Sequence, residues 1–211
     1  MIKNSSRIAV YGRSGSGKST YVKNLIKKLK RVVVFDVMAE YSQLQGYETA
    51  YDINQVKAIM IRKPKTFKIA YQSRAGSEQQ DLHLLSCLLA LAQTPYLKGI
   101  HNTELTLVAE ELSTAYPNQI KQNLNGFQNL CQRGRHYGIN IIGITQRPAT
   151  VSKNFFGNTN KTIIFPLAWQ DDIKGILNLI GKKYQQDLLN LQPHNYLVFE
   201  NFTITRGKNR L

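Results

Sequence analysis

The chain has 211 residues, enough for one well-buried core and short for two complete domains. Its 42% apolar and 19% charged residues fit a soluble globular protein. A formal net charge of +15 excludes an ordinary neutral surface and points to a polyanionic partner.

The charge is unevenly spread. Residues 1–35 contain nine Lys or Arg and no acid, residues 53–77 contain six and no acid, and residues 112–170 again contain six and no acid. A nucleic-acid-facing surface accounts for such stretches; an anionic membrane, an acidic partner or a merely solvated basic surface are the alternatives. Residues 1–7 contain no apolar run, so no secretory signal is expected. The longest apolar stretch, 82–92, is interrupted by His83 and Ser86 and is too short to cross a bilayer. Cys87 and Cys131 lack CxxC spacing and fall in apolar helical patterns, so both are expected as reduced core residues.

In chain order, residues 7–11 predict a short apolar strand. Residues 18–30 predict a helix burying Val22, Leu25, Ile26 and Leu29, with lysines on its other side. Residues 32–36 predict a buried strand ending in Asp36. Residues 46–65 are mixed, with a short helix near 54–61. A strand follows at 67–71, an apolar helix at 78–93 before Pro95, a strand at 105–109, a helix at 120–137 stopped by Gly138, and a strand at 139–145 before Pro148. The last elements are a strand at 162–166, helices at 171–180 and 183–190, and a hairpin of 196–200 with 203–206. Buried β-branched strands alternating with helices imply an α/β fold with a mostly parallel sheet flanked by helices, closed by a C-terminal β-hairpin. No repeat, linker or second domain interrupts residues 1–211, which are expected to form a single domain.

The loop between the first strand and the first helix, Gly12-Arg13-Ser14-Gly15-Ser16-Gly17-Lys18-Ser19, fits the P-loop pattern G-x-x-x-x-G-K-[ST]. Its glycines let backbone N–H groups wrap a β-phosphate, and the helix that follows offers its positive end. Lys18 is expected on the β- and γ-phosphates of ATP, Ser19 on Mg²⁺, and Thr20 near the α-phosphate. The strand at 105–109 ends in Glu110-Glu111, the form of a Walker B element. Glu110 is expected on the metal side and Glu111 as the general base. Asp is usual at the first of these positions, so Glu110 is a departure. A strand between P-loop and Walker B, together with the following glutamate, predicts a RecA-like core of the additional-strand, catalytic-glutamate type. No NKxD motif is present, which argues against a GTPase. Gln146, at the exit of the strand 139–145, is placed to contact the γ-phosphate or the attacking water, or to be a turn residue before proline. Arg133 and Arg135 end the preceding helix, where cations complement the helix dipole or serve as an arginine finger to a neighbouring subunit.

Four segments together, GRSGSGKST at 12–20, VVVFDVMAEY at 32–41, LTLVAEEL at 105–112 and RGRHYGINIIGITQRPATVSK at 133–153, resemble the FtsK–HerA superfamily of ring-forming DNA-pumping ATPases. The short chain looks most like the genome-packaging ATPases of tailless icosahedral viruses with an internal membrane. That resemblance implies a hexameric ring at a capsid vertex, contacting capsid or small membrane proteins of the virion, active in the host cytoplasm and driving double-stranded DNA inward. It implies Arg135 as the finger supplied in trans, with Arg133 the alternative, and Gln146 as the sensor. Asp36 and Glu40 match the second segment without an evident role.

A translocase needs many phosphate contacts and few base contacts. The acid-free segment 147–161, with Arg147, Lys153 and Lys161, is expected to contribute to the pore, with Phe155-Phe156 as an alternative buried anchor. The basic tail 205–210, including Arg206, is expected to touch DNA or to be solvated. A plasmid-transfer, filamentous-phage-assembly or HerA-like end-processing motor is a second reading. A non-motor, ATP-gated switch recruiting DNA or membrane partners is a third.

Overall fold

Strand segments such as Arg31–Phe35 and Leu105–Ala109 carry no polar alternation, so both of their faces need cover. In the computed structural model of the chain, which describes residues 6–209, every residue of these two strands is buried. The elements in chain order are β1 (Arg7–Tyr11), α1 (Lys18–Ile26), β2 (Arg31–Phe35), β3 (Glu48–Ala50), α2 (Ile53–Arg62), β4 (Phe67–Tyr71), α3 (Glu78–Ala92), α4 (Thr94–Leu97), β5 (Leu105–Ala109), α5 (Leu112–Ala115), α6 (Gly126–Arg133), β6 (Ile139–Thr145), α7 (Lys153–Phe156), β7 (Lys161–Ile164), α8 (Gln170–Ile180), α9 (Gln185–Leu189), β8 (Asn195–Glu200) and β9 (Thr203–Lys208).

The strands form one sheet in the order β3-β4-β2-β5-β6-β1-β7-β8-β9. It is parallel from β3 to β7 and antiparallel across β7–β8 and β8–β9. The period-2 alternation of strand side chains divides the core. Ala9, Tyr11, Val33, Phe35 and Leu107 face one side, under α2, α3, α6 and α8. Ile8, Val10, Val32, Val34 and Val108 face the other, where Val22 and Ile26 of α1 and Tyr41 cover them. The inserted strand between β1 and β5 is β6. The strand at 67–71, which precedes β5 in sequence, lies beyond β2, so the additional-strand expectation holds through a different strand.

Four expectations are corrected. The first helix ends at Ile26 instead of residue 30, because β4 claims the carbonyls of the next turn: Lys68 Nζ donates to Lys27 O and Phe67 N to Lys30 O, each at 2.8 Å. Leu25 and Leu29, expected in the core, are exposed there. The helix expected from residue 120 begins at Gly126. Asn123 is left-handed (φ 68), Asn118 N donates to Thr150 O, and Lys121 N donates to Gln79 Oε1, so local partners outcompete the helix. Its last turn, Gly134–Tyr137, is a 3-10 helix. Segment 46–65 contains the edge strand β3 as well as α2, and Asp52 caps α2 by accepting from Gln55 N at 2.9 Å. Cys131 is buried, but Cys87 is exposed, with its Sγ beside Gly126 at the start of α6. Residues 1–5, part of the segment read for a leader, and Arg210 of the basic tail lie outside the described residues. Among the described residues no helix is long and apolar enough to cross a membrane.

Candidate nucleotide site

The loop after β1 is held in shape by contacts that leave no room for a side chain at Gly12 or Gly17. Gly12 has φ 154, and a Cβ there would lie 2.5 Å from Phe165 Cβ and 2.7 Å from Ser16 Oγ. Arg13 N donates to Pro166 O at 2.8 Å, which fastens the loop to the end of β7. Gly17 is left-handed and gives α1 no side-chain cap, so the first amides of the helix remain available to an anion. Lys18 is buried, and its Nζ donates to Arg13 O at 2.9 Å. Burial lowers the ammonium pKa, while Glu111, Glu110 and Glu40 act in the opposite direction. A cavity of about 410 Å³ opens over this loop, and its wall includes Lys18, Ser19, Thr20, Glu110, Glu111 and Gln146.

The two Walker B acids occupy different environments. Glu110 is 4% exposed, and its Oε2 is buried without a partner. Burial, then Asp36 and Glu40, raise its carboxyl pKa to about 8. Glu111 turns the chain out of β5 in a left-handed conformation, φ 45 and ψ 51. A glutamate in that region is strained, a feature that clusters at functional sites. Its Oε1 accepts from Gln146 Nε2 at 3.0 Å. Adjacent positions of β5 and β6 in the sheet bring the two strand exits together, so the expected base and the expected sensor meet.

Asp36 has a structural task. It is fully buried, and its oxygens accept from the N–H groups of Glu40, Tyr41 and Ser42 at 2.9–3.1 Å, which folds the turn after β2. That turn sets Glu40 on the cavity wall, where it pairs with Lys23 at 2.8 Å. Among the described residues no group of three His, Cys, Asp or Glu can hold a metal ion by itself. The fit is nonetheless favourable, because Glu110 presents an unpartnered buried oxygen that a nearby positive charge would satisfy.

Other expected site residues lie elsewhere. Arg133 and Arg135 are exposed at the N-terminal end of β6. The seven residues of that strand separate them from the nucleotide side of the same chain by about 20 Å. Arg147 is drawn inward: its Nε donates to the fully buried Asp172 at 2.9 Å, and its guanidinium lies 4.6 Å from the Trp169 ring. Lys161 pairs with Glu200 at 3.1 Å across β7–β8, and Arg206 pairs with Asp187. Lys153 is exposed and has no acidic partner among the described residues. Segment 147–161 is a pinned connection. Phe155 is fully buried, stacks on Phe127, and packs where a Gly143 side chain would be.

Two residues absent from the sequence reading also belong to this site. His194 lines the cavity, and Asn209 Nδ2 donates to Gly17 O at 2.8 Å. No motif marks either residue; only the return of the C-terminal hairpin to the phosphate loop brings them here.

The sequence model of a family described as the central domain of helicase HerA matches residues 4–145. No curated protein matches the chain. Among solved structures, the chain is similar to the genome packaging NTPase B204 from Sulfolobus turreted icosahedral virus 2 in complex with AMPPCP, with a TM-score of 0.78 and 19% identity over 99% of this chain and 100% of that one. It is also similar to VirB4 of Thermoanaerobacter pseudethanolicus, with a TM-score of 0.66 and 12% identity over 100% of this chain and 91% of the other. The cytoplasmic domain of the Thermomonospora curvata type VII secretion ATPase EccC gives a TM-score of 0.65 and 14% identity, over 96% of this chain and 25% of that one. At these identities the likeness is one of fold.

Proposed function

The chain belongs to the family of the HerA helicase central domain and is a P-loop ATPase, and from that premise we propose that it couples ATP hydrolysis to movement of double-stranded DNA, packaging a viral genome into a preformed capsid. The observation that carries the hydrolytic part of this reading is the Glu111–Gln146 hydrogen bond of 3.0 Å on the wall of the phosphate-loop cavity. It joins a general base to a glutamine on the neighbouring strand, so that both can address one water. The packaging reading is supported by likeness along both full chains to a genome packaging NTPase.

In this reading the amides of residues 13–19 wrap the phosphates of ATP, and Lys18 exchanges its Arg13 carbonyl for the β- and γ-phosphate oxygens. Glu111 accepts a proton from the water attacking the γ-phosphorus, while Gln146 orients that water. Ser19 and Glu110 are the residues that would hold Mg²⁺, which supplies charge neutralisation at the phosphate oxygens. Arg135, or Arg133 in its place, serves the neighbouring subunit of a hexameric ring; its distance from the site of its own chain agrees with a role in trans. Lys153, exposed and without an acidic partner among the described residues, is the cation of this set best placed to meet DNA phosphates, whereas Arg147, Lys161 and Arg206 are each engaged by an acid of the same chain. The ring works at the packaging vertex of the virion in the host cytoplasm, against capsid or small membrane proteins.

ATP turnover measured with and without double-stranded DNA tests the proposal. DNA should stimulate hydrolysis at low salt, and the stimulation should fade as salt rises. Turnover indifferent to saturating DNA at low salt would refute the motor reading.

A further inference from the structure

The C-terminal hairpin begins and ends on the phosphate loop. At its entry His194 takes a left-handed backbone, φ 67, and its amide donates to Ser16 O at 2.9 Å. At its exit the buried Asn209 donates from its backbone N to His194 O at 2.8 Å and from Nδ2 to Gly17 O at 2.8 Å. These bonds hold the imidazole against Gly17, where an added Cβ would lie 3.0 Å from Nδ1. That nitrogen is buried without a hydrogen-bond partner, and the residue lines the same cavity as Lys18, Ser19 and Thr20. A left-handed non-glycine backbone and an unsatisfied buried nitrogen are both costly. Here both sit at the edge of a ligand cavity.

Sheet order identifies which part of a ligand this residue faces. The order runs β5-β6-β1-β7-β8. Glu110, Glu111 and Gln146 arrive from β5 and β6 on one side of β1, whereas His194 arrives from the approach to β8 on the other. A nucleoside triphosphate that lies in the loop after β1 with its γ-phosphate toward Glu111 therefore directs its nucleoside toward β7 and β8, at the carboxyl edge of the sheet. The sugar is the first group beyond the phosphates. Its hydroxyls both donate and accept, so either neutral imidazole tautomer can bond to them.

We propose that His194 hydrogen-bonds the ribose of the bound nucleotide, and that Asn209 is a positioning residue that fastens His194 to the phosphate loop. The inference rests on the reading of this cavity as an ATP site. It assigns the hairpin a part in distinguishing a ribonucleotide from other polyphosphates.

The test compares equilibrium binding of ATP, 2′,3′-dideoxy-ATP and inorganic tripolyphosphate. Wild-type protein should prefer ATP over the dideoxy analogue by about tenfold, the scale of one ligand hydrogen bond in a dry site. His194→Ala should bind both nucleotides equally while keeping its affinity for tripolyphosphate. Asn209→Ala should lower the same preference and raise KM for ATP at similar kcat, and it carries the test if His194→Ala does not fold. The proposal is overturned if wild-type protein shows no preference, if His194→Ala retains it, or if tripolyphosphate affinity falls in step with that for ATP. Wild-type protein that binds none of the three ligands refutes the ATP-site reading itself, and the two failures are thereby distinguished.

Discussion

Replacing Glu110 by glutamine removes a titration that folding has shifted far from its ordinary range. In the folded chain burial, then Asp36 and Glu40, raise this carboxyl from 4.5 to about 8. Between those pH values the folded state retains a proton that the unfolded state has released. The stabilisation is complete below the unfolded pKa and is lost as pH rises toward the folded one. With about 1.4 kcal/mol for each pH unit of separation, wild-type protein loses about 4 kcal/mol from this group between roughly pH 5 and pH 8.5. Glu110→Gln loses none of it. Any cost of seating the amide is the same at every pH and cancels in the slope. For a chain of this size about 2–4 °C of melting temperature corresponds to each kcal/mol. The Tm of the variant relative to wild type should therefore climb by about 8–16 °C across that range. Calorimetric melts in a pH series, without nucleotide and with EDTA, measure the difference. Parallel Tm profiles for the two proteins would refute the placement of Glu110 as a buried carboxyl among acids.

Glu111→Gln should bind ATP within a few-fold of wild type and slow turnover by about 10²–10⁴-fold, the usual contribution of a general base; normal single-turnover hydrolysis would remove Glu111 from that role. Arg135→Ala should be inactive alone and recover activity when mixed with Lys18→Ala subunits, which still supply the arginine. Absence of recovery argues against action in trans. Asp172→Ala removes the acceptor for Arg147 Nε and Ala149 N. It should cost about 2 kcal/mol in urea denaturation, below the cost of breaking a fully buried pair because Arg147 is partly exposed. An unchanged midpoint would show that this link does not hold the segment after Gln146.

The chemistry-bearing segments were legible because each is local. A phosphate loop requires glycines and a lysine at fixed spacing between a strand and a helix, and Lys18 and Ser19 satisfy that within one turn of chain. Glu110-Glu111 and Gln146 could be located in the same way, each as the polar exit of an apolar strand. The boundaries that slipped lie where local preference was overruled. Lys27 to Lys30 read as helix until β4 takes their carbonyls. Residues 120–125 read as helix until Asn118 and Lys121 find partners in other segments. Arg147, Lys161 and Arg206 read as free cations on a line of sequence, yet Asp172, Glu200 and Asp187 meet them only across the fold.

By itself the sequence located a phosphate-loop motif opening a helix and an acid pair at the exit of an apolar strand, since those features depend on residue types at short spacing. Tertiary structure alone decided that β6 lies between β1 and β5, that Gln146 reaches Glu111, and that Arg135 stands at the far end of the sheet. It also decided that Asn209 fastens onto Gly17 from 192 residues away. The physical reason is that strand order and hairpin return are set by which apolar faces cover one another. That global property of the core has no fixed spacing along the chain.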